Sequence, residues 1–191
     1  MVDGMAGYYG RLFDVAGKIR VTDSKGGVFS FEDGVEKAIA MIKTMSRDGK
    51  VIFIGNGGSA AISSHMSVDF WKNGGIRAVA FNDSSLLTCI GNDYGYPLVF
   101  EKPVEMFADS GDVLIAISSS GRSENILRGV HAARAKGCSV ITLSGFGSDN
   151  PLSSMGDVNF YVPSRAYGPV EVLHHSICHC ILDTLMGITN G

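Results

Sequence analysis

Residues 112–137 read DVLIAISSSGRSENILRGVHAARAKG, and this stretch decides the fold. DVLIAIS (112–118) is a continuous apolar run rather than an alternating one, the pattern of a strand buried on both faces. SENILRGVHAARAKG (123–137) has helical periodicity and closes at Gly137, the residue type that most easily ends a helix. A strand followed within a few residues by a helix is the repeating half of a βαβ unit. The same order recurs on either side. VIFI (51–54) is a short buried strand that leads into a helix over 59–72. RAVAF (77–81), CSVITLS (138–144) and VNFYVP (158–163) are further strands. DSSLLTCIGND (83–93) reads as a short helix ending at Gly91, and residues from about 170 to 187 form a last helix. Between them PLVFEKPVEMFADSG (97–111) is helical in parts, with Pro103 limiting it.

The expected fold is therefore α/β, with parallel strands and helices on both faces. Two helices precede this pattern. The first twenty residues place Tyr8, Leu12, Phe13, Val15 and Ile19 at roughly helical spacing. SFEDGVEKAIAMIKTMSRDGK (30–50) follows, with Ser30 as N-cap, Glu32 and Asp33 in the first turn and Gly49 as a stop. One domain over 1–191 is expected, made of N-terminal helices (1–48) free to pack on a partner subunit and an α/β core (49–188).

Composition narrows the function. A 191-residue chain with 45% hydrophobic residues and a net charge of −3 is an ordinary globular protein, without the basic balance of a nucleic-acid surface. It has no apolar run of membrane-spanning length, and its first residues lack the order of a signal peptide, so a cytoplasmic location is expected. Cys89, Cys138, Cys178 and Cys180 do not form a disulfide scaffold in a chain this long. In the triplet CHC (178–180) the cysteines do not share a helix face, which favours structural thiols over a metal site.

Two loops carry matching chemistry. GNGGSA (55–60) follows the first core strand, and SSSGRSEN (118–125) follows DVLIAI. Ligands of open α/β sheets bind beyond the carboxyl ends of the strands. Glycines permit close backbone approach, serines offer hydroxyls, and a helix start offers free N–H groups, so both loops suit a phosphate. Each also reads as an ordinary cap or turn when taken alone. GNGGSA lacks the Lys-Ser/Thr of a Walker loop and the spacing of a dinucleotide fingerprint. A third loop, GNDYG (91–95), carries Asn92 and Asp93.

His65 and Asp69 lie at i and i+4 on the helix after GNGGSA. In VEVLHHSICHCILD (170–183), Glu171, His175 and His179 fall on one stripe, with His174 about 100° away from it. His65, Asp69, Glu171 and His179 could hold a divalent cation if the two helices meet. Glu171 and His179 are separated by about 12 Å of helix rise, which strains that set unless the start of the helix is irregular. Packed histidines and a solvated acid are the alternative reading.

Taken together, GNGGSA, GNDYG, GDVLIAISSSGRSEN, ARAKGCSVITLSG and the final paired histidines resemble the sedoheptulose 7-phosphate (phosphoheptose) isomerases of the sugar isomerase, or SIS, superfamily. The likeness covers about residues 35–188. It implies a five-stranded parallel sheet flanked by helices, assembled as a homotetramer with active sites at subunit interfaces. It implies that Asn56, Gly57, Gly58 and Ser59 form the first sugar-phosphate loop. Asn92 and Asp93 would be a substrate-contacting pair, and Ser118, Ser119, Ser120 and Ser123 the phosphate loop. His65, Asp69, Glu171 and His179 fall on the zinc positions, and Asp69 and His179 on those of the acid–base pair. The implied reaction is aldose–ketose isomerisation through an enediolate.

The chain departs from the family pattern at Asp69 (usually Glu), Glu171 (usually Gln) and Asn73 (usually Arg, here with Lys72 beside it). Gly168 and Pro169 replace polar residues in a segment one residue short. These changes keep metal-ligand chemistry and leave a different phosphosugar open as substrate. A second alternative is a non-catalytic SIS regulator that binds a protein partner, although two histidines and two acids at the four positions favour an enzyme.

Overall fold

The computed structural model describes residues 4–188. Seven strands form one mixed sheet in the order β2-β1-β7-β6-β5-β3-β4. Five of them are parallel: β3 (Val51–Gly55), β4 (Ala78–Ala80), β5 (Val113–Ser118), β6 (Ser139–Ser144) and β7 (Val158–Tyr161). β3 and β5 are buried along their whole length, as their unbroken apolar runs require. Successive side chains still point to opposite faces. Val51 and Phe53 join Ile115, Ile117 and Phe160 in one core, and Ile52 and Ile54 join Leu114, Ala116 and Val140 in the other.

The expectation of five strands is corrected by a hairpin at the sheet edge. β1 (Arg20–Thr22) runs antiparallel to β7 and to β2 (Val28–Phe29). Its turn is held by the Asp23 carboxylate, which accepts the N–H groups of Lys25 and Gly27 at 2.8 Å each. The first helix therefore ends earlier than its periodicity suggested, as α1 (Met5–Ala16). α2 (Phe31–Lys43) starts at Ser30, whose hydroxyl accepts the Asp33 N–H at 3.0 Å. It buries Val35, Ala38, Ile39 and Ile42 in the core of its own chain. α1 rests Leu12 and Val15 on that core and exposes Met5, Tyr9 and Phe13.

α3 (Gly58–Lys72), α6 (Glu124–Ala135) and α7 (Tyr167–Met186) follow β3, β5 and β7. α4 (Ser84–Asp93) continues through Gly91, beyond its expected end. Pro103 does not limit α5 (Glu101–Phe107): it lies in the first turn, where its missing N–H has no partner to lose.

The chain passes from β3 outward to β4 and then crosses to β5 on the other side of β3. That reversal of strand order opens a crevice between the loops after β3 and β5.

α7 is set in phase by His174. This side chain is fully buried, and its Nε2–H donates to the Ser144 carbonyl at the end of β6, 3.1 Å away. Burial pushes its pKa from 6.5 down to about 4. The unfolded chain therefore binds the extra proton first. The stabilisation is complete above pH 6.5 and drains as pH falls toward 4, by about 3 kcal/mol in all. Urea unfolding at pH 7 and at pH 4.5 should register this loss, and His174→Gln should flatten the difference. An equal slope in that variant would assign the acid sensitivity to other groups.

Candidate functional site

At the crevice the two loops enclose a cavity of about 240 Å³. Asn56, Gly57, Gly58 and Ser59 line one side, and Ser118, Ser119, Ser120 and Ser123 the other. All eight residues expected to form the two sugar-phosphate loops meet here. Gly57 has φ +56°, a left-handed conformation that favours glycine. Gly58 is the first residue of α3, and a Cβ on it would stand 2.5 Å from the carboxylate oxygens of Glu171. The absence of a side chain there lets α7 bring Glu171 onto the start of α3.

No basic side chain lines the cavity among the described residues. Arg122, whose direction the sequence left open, turns away and donates to the Asp149 carboxylate at 2.7 Å. The donors left for an anion are hydroxyls and the free N–H groups at the starts of α3 and α6. Ser118 Oγ accepts the Gly121 N–H at 3.2 Å, and Ser120 Oγ accepts that of Arg122 at 3.3 Å. Ser119 Oγ is buried and has no hydrogen-bond partner, and Ser123 begins α6 without a side-chain cap bond. Ser119 and Ser123 thus have both roles free, while Ser118 and Ser120 accept one N–H each and keep their O–H free to donate.

The two loops are latched by a reciprocal amide pair. Asn56 Nδ2 donates to Asn125 Oδ1 at 2.9 Å, and Asn125 Nδ2 donates back to Asn56 Oδ1 at 2.8 Å. Tyr96 Oη donates to the same Asn56 oxygen at 3.0 Å. Asn56 thus spends much of its hydrogen bonding on holding the crevice together. Asn125, Tyr96 and the cavity residue Tyr167 were missed, since a lone Asn in a helix start or a lone Tyr carries no local signal. Asn92 and Asp93 lie at the end of α4, hydrogen-bonded to each other at 2.8 Å, and do not line the cavity of their own chain.

α3 and α7 descend from the crevice side by side. Gly58 meets Glu171 at the top and Gly74 meets Leu182 at the bottom. Between these contacts is a cluster of histidines with one acid. His65 Nε2 is 3.2 Å from Asp69 Oδ2, and His179 Nδ1 is 4.0 Å from the same oxygen. The ring of His175 lies 4.9 Å from that of His65 and 4.7 Å from that of His179, centre to centre. One ring nitrogen from each of the three histidines falls within 4.8 Å of the other two. Three imidazoles and a carboxylate are donors that suit zinc. His175 Nε2 is buried with no hydrogen-bond partner. Its pKa is lowered, first by burial and then by the neighbouring His179 and His65, which keeps the ring neutral and its nitrogen available.

The structure brings together His65, Asp69 and His179 from the expected metal set. It places Glu171, the fourth member, one turn above His175 and against the cavity. The two cysteines of CHC, Cys178 and Cys180, are not among these grouped donors. Burial pushes Cys178 up to about 12 and Cys138 to about 11, which keeps both as thiols.

Comparison with known proteins points the same way. Residues 30–145 match the family model described as SIS domain. The chain is 36% identical over 165 residues to the phosphoheptose isomerase of Helicobacter hepaticus, covering 83% of this chain and 84% of that one. Its structure is similar to that of a phosphoheptose isomerase from Neisseria gonorrhoeae, with a TM-score of 0.81 and 31% identity, over 94% of this chain and 96% of that one. A phosphoheptose isomerase from Francisella tularensis gives a TM-score of 0.82 and 28% identity, over 97% of this chain and 98% of that one.

Proposed function

The chain belongs to the phosphoheptose isomerases of the SIS-domain family, and from that premise we propose that it interconverts sedoheptulose 7-phosphate and D-glycero-D-manno-heptose 7-phosphate. One observation carries the reading. A cavity without basic side chains and a cluster of histidines with one acid are carried by the same two helices. Gly58, Ser59, Tyr167 and Glu171 at the starts of α3 and α7 line the cavity, and His65, Asp69 and His179 follow further along them. A sugar phosphate anchored by its phosphate at Ser119, Ser123 and the helix starts would extend along α3 and α7 toward Asp69. Binding energy gained at the phosphate then serves to position carbons that make no contact with it.

Asp69 is the base in this proposal. Its side chain is 17% exposed, enough to reach substrate while shielded from bulk water. It takes the proton from the carbon beside the carbonyl and returns it to the former carbonyl carbon. His179 moves the second proton between the two oxygens, so charge does not accumulate on the enediolate. His65, Asp69 and His179 would hold zinc, with the expected fourth ligand Glu171 about two turns above His179 on α7. When bound, zinc supplies Lewis-acid stabilisation of developing oxygen charge.

We further propose a homotetramer with sites completed between subunits. The position of Asn92 and Asp93 outside their own chain's cavity supports it, as do the exposed Tyr9 and Phe13 of α1 and Trp71 of α3. Light scattering on the purified protein tests the assembly. No helix among the described residues is long and apolar enough to cross a membrane, and a cytoplasmic enzyme is proposed.

Turnover of sedoheptulose 7-phosphate, coupled to detection of the aldoheptose, is the direct test. Activity should fall at least tenfold after chelation and return with zinc. No turnover from a folded, zinc-loaded protein would move the assignment to another phosphosugar.

A further inference from the structure

We propose that His175 is a metal ligand, so that His65, His175 and His179 form a three-nitrogen divalent-cation site. Asp69 then braces the site from outside it, and Glu171 belongs to the phosphate cavity. The inference rests on the metal-binding part of the reading above and changes its ligand set.

Four observations carry it. The ring nitrogens of the three histidines already lie within 4.8 Å of one another, a grouping that includes neither Asp69 nor Glu171. Tetrahedral nitrogen ligands about 2.1 Å from zinc are about 3.4 Å apart, so the rings need to close by little more than an ångström. His175 Nε2 is buried with no partner, on a ring that forms a triangle with those of His65 and His179. A buried nitrogen left unpaired is costly, and a cation is the partner this position offers. Asp69 is close to both His65 and His179, where a carboxylate typically orients metal-bound imidazoles through their second nitrogen. Finally, helical side chains lean toward the N-terminus of their helix. That direction carries Glu171 up to Gly58 and away from the histidines below it.

Three neutral ligands have a chemical consequence. Such a site keeps an open position and leaves the full charge of the ion to the substrate oxygens. It also leaves the Asp69 carboxylate unconsumed by the metal and therefore basic.

The test uses the full-length, chelator-stripped protein and cobalt(II) as a visible probe. His175→Asn should weaken cobalt binding at least tenfold and alter the ligand-field absorption, whereas Glu171→Ala, which removes every donor atom at that position, should leave both as in the parent. The opposite pattern overturns the proposal, as does a parent protein that takes up no cobalt. To remove any dependence on how the variants fold, X-ray absorption at the zinc edge counts imidazoles in the unmodified protein. Three support the assignment and two overturn it. Turnover with only two imidazoles bound would leave the isomerase reading standing without this one. Three imidazoles without turnover would do the reverse.

Discussion

Asp69→Asn is expected to lower kcat about a thousandfold, some 4 kcal/mol of barrier, while phosphate still binds. The substitution is nearly isosteric. The amide oxygen can still accept a hydrogen bond from His65, whose Nε2 is 3.2 Å from Asp69 Oδ2. What disappears is the capacity to take a proton from carbon. The proposed phosphate anchor, at Ser119 and Ser123 of the cavity, does not include Asp69, so inorganic phosphate should bind the variant and the parent at similar concentrations. Zinc content measured on the same samples separates loss of the base from loss of the ion. Retention of kcat within tenfold would place the base elsewhere.

Gly121→Ala is expected to destabilise the fold by about 4 kcal/mol and to weaken phosphate binding with it. Gly121 has φ +61°, and left-handed backbone costs an L-residue about 1–2 kcal/mol. A side chain there would also collide with the amide of Asn150 and stand 2.9 Å from its Cβ. Asn150 cannot yield cheaply. It is 2% exposed, donates to the Gly147 carbonyl at 2.7 Å and accepts the Ser153 N–H at 2.9 Å. Breaking such buried bonds adds about 1–3 kcal/mol each. The glycine N–H also ties the loop back to the Ser118 carbonyl at 3.1 Å, so the serines lose their arrangement together. Urea unfolding with an unchanged m-value measures the effect. A loss under about 1 kcal/mol would mean that the loop relaxes around the methyl group.

The parallel core was legible because burial on both faces writes a strand as an unbroken apolar run. VIFI and DVLIAI could be read without knowing their neighbours. β1 was illegible for the opposite reason: three residues of ordinary composition become a strand only by pairing with β7, Arg20 opposite Tyr161, far along the chain. The two loops proposed to hold phosphate were legible as strand–loop–helix junctions, and they line one cavity. Their mutual latch was not, because Asn56 and Asn125 are 69 residues apart and become partners only when β3 and β5 lie side by side. The histidine cluster shows where periodicity stops. A 3.6-residue repeat places Glu171, His175 and His179 on one stripe, but it does not say which partner on α3 each meets. The lean of helical side chains and the missing Cβ of Gly58 decide that.

Because α3 and α7 descend together from the crevice, they would act as a measuring rod in the proposed reaction. Seven residues separate Gly58 at the anion cavity from His65 at the acid–base cluster, about 10 Å of helix. Neither end can shift without the other, since both sit on the same helix. With its phosphate seated at the top, as proposed, a sugar would present to Asp69 whichever carbons lie one fixed length away. Shorter sugar phosphates would bind and remain unreacted. Chain length, rather than the pattern of hydroxyls, would then be the first property by which this enzyme selects its substrate.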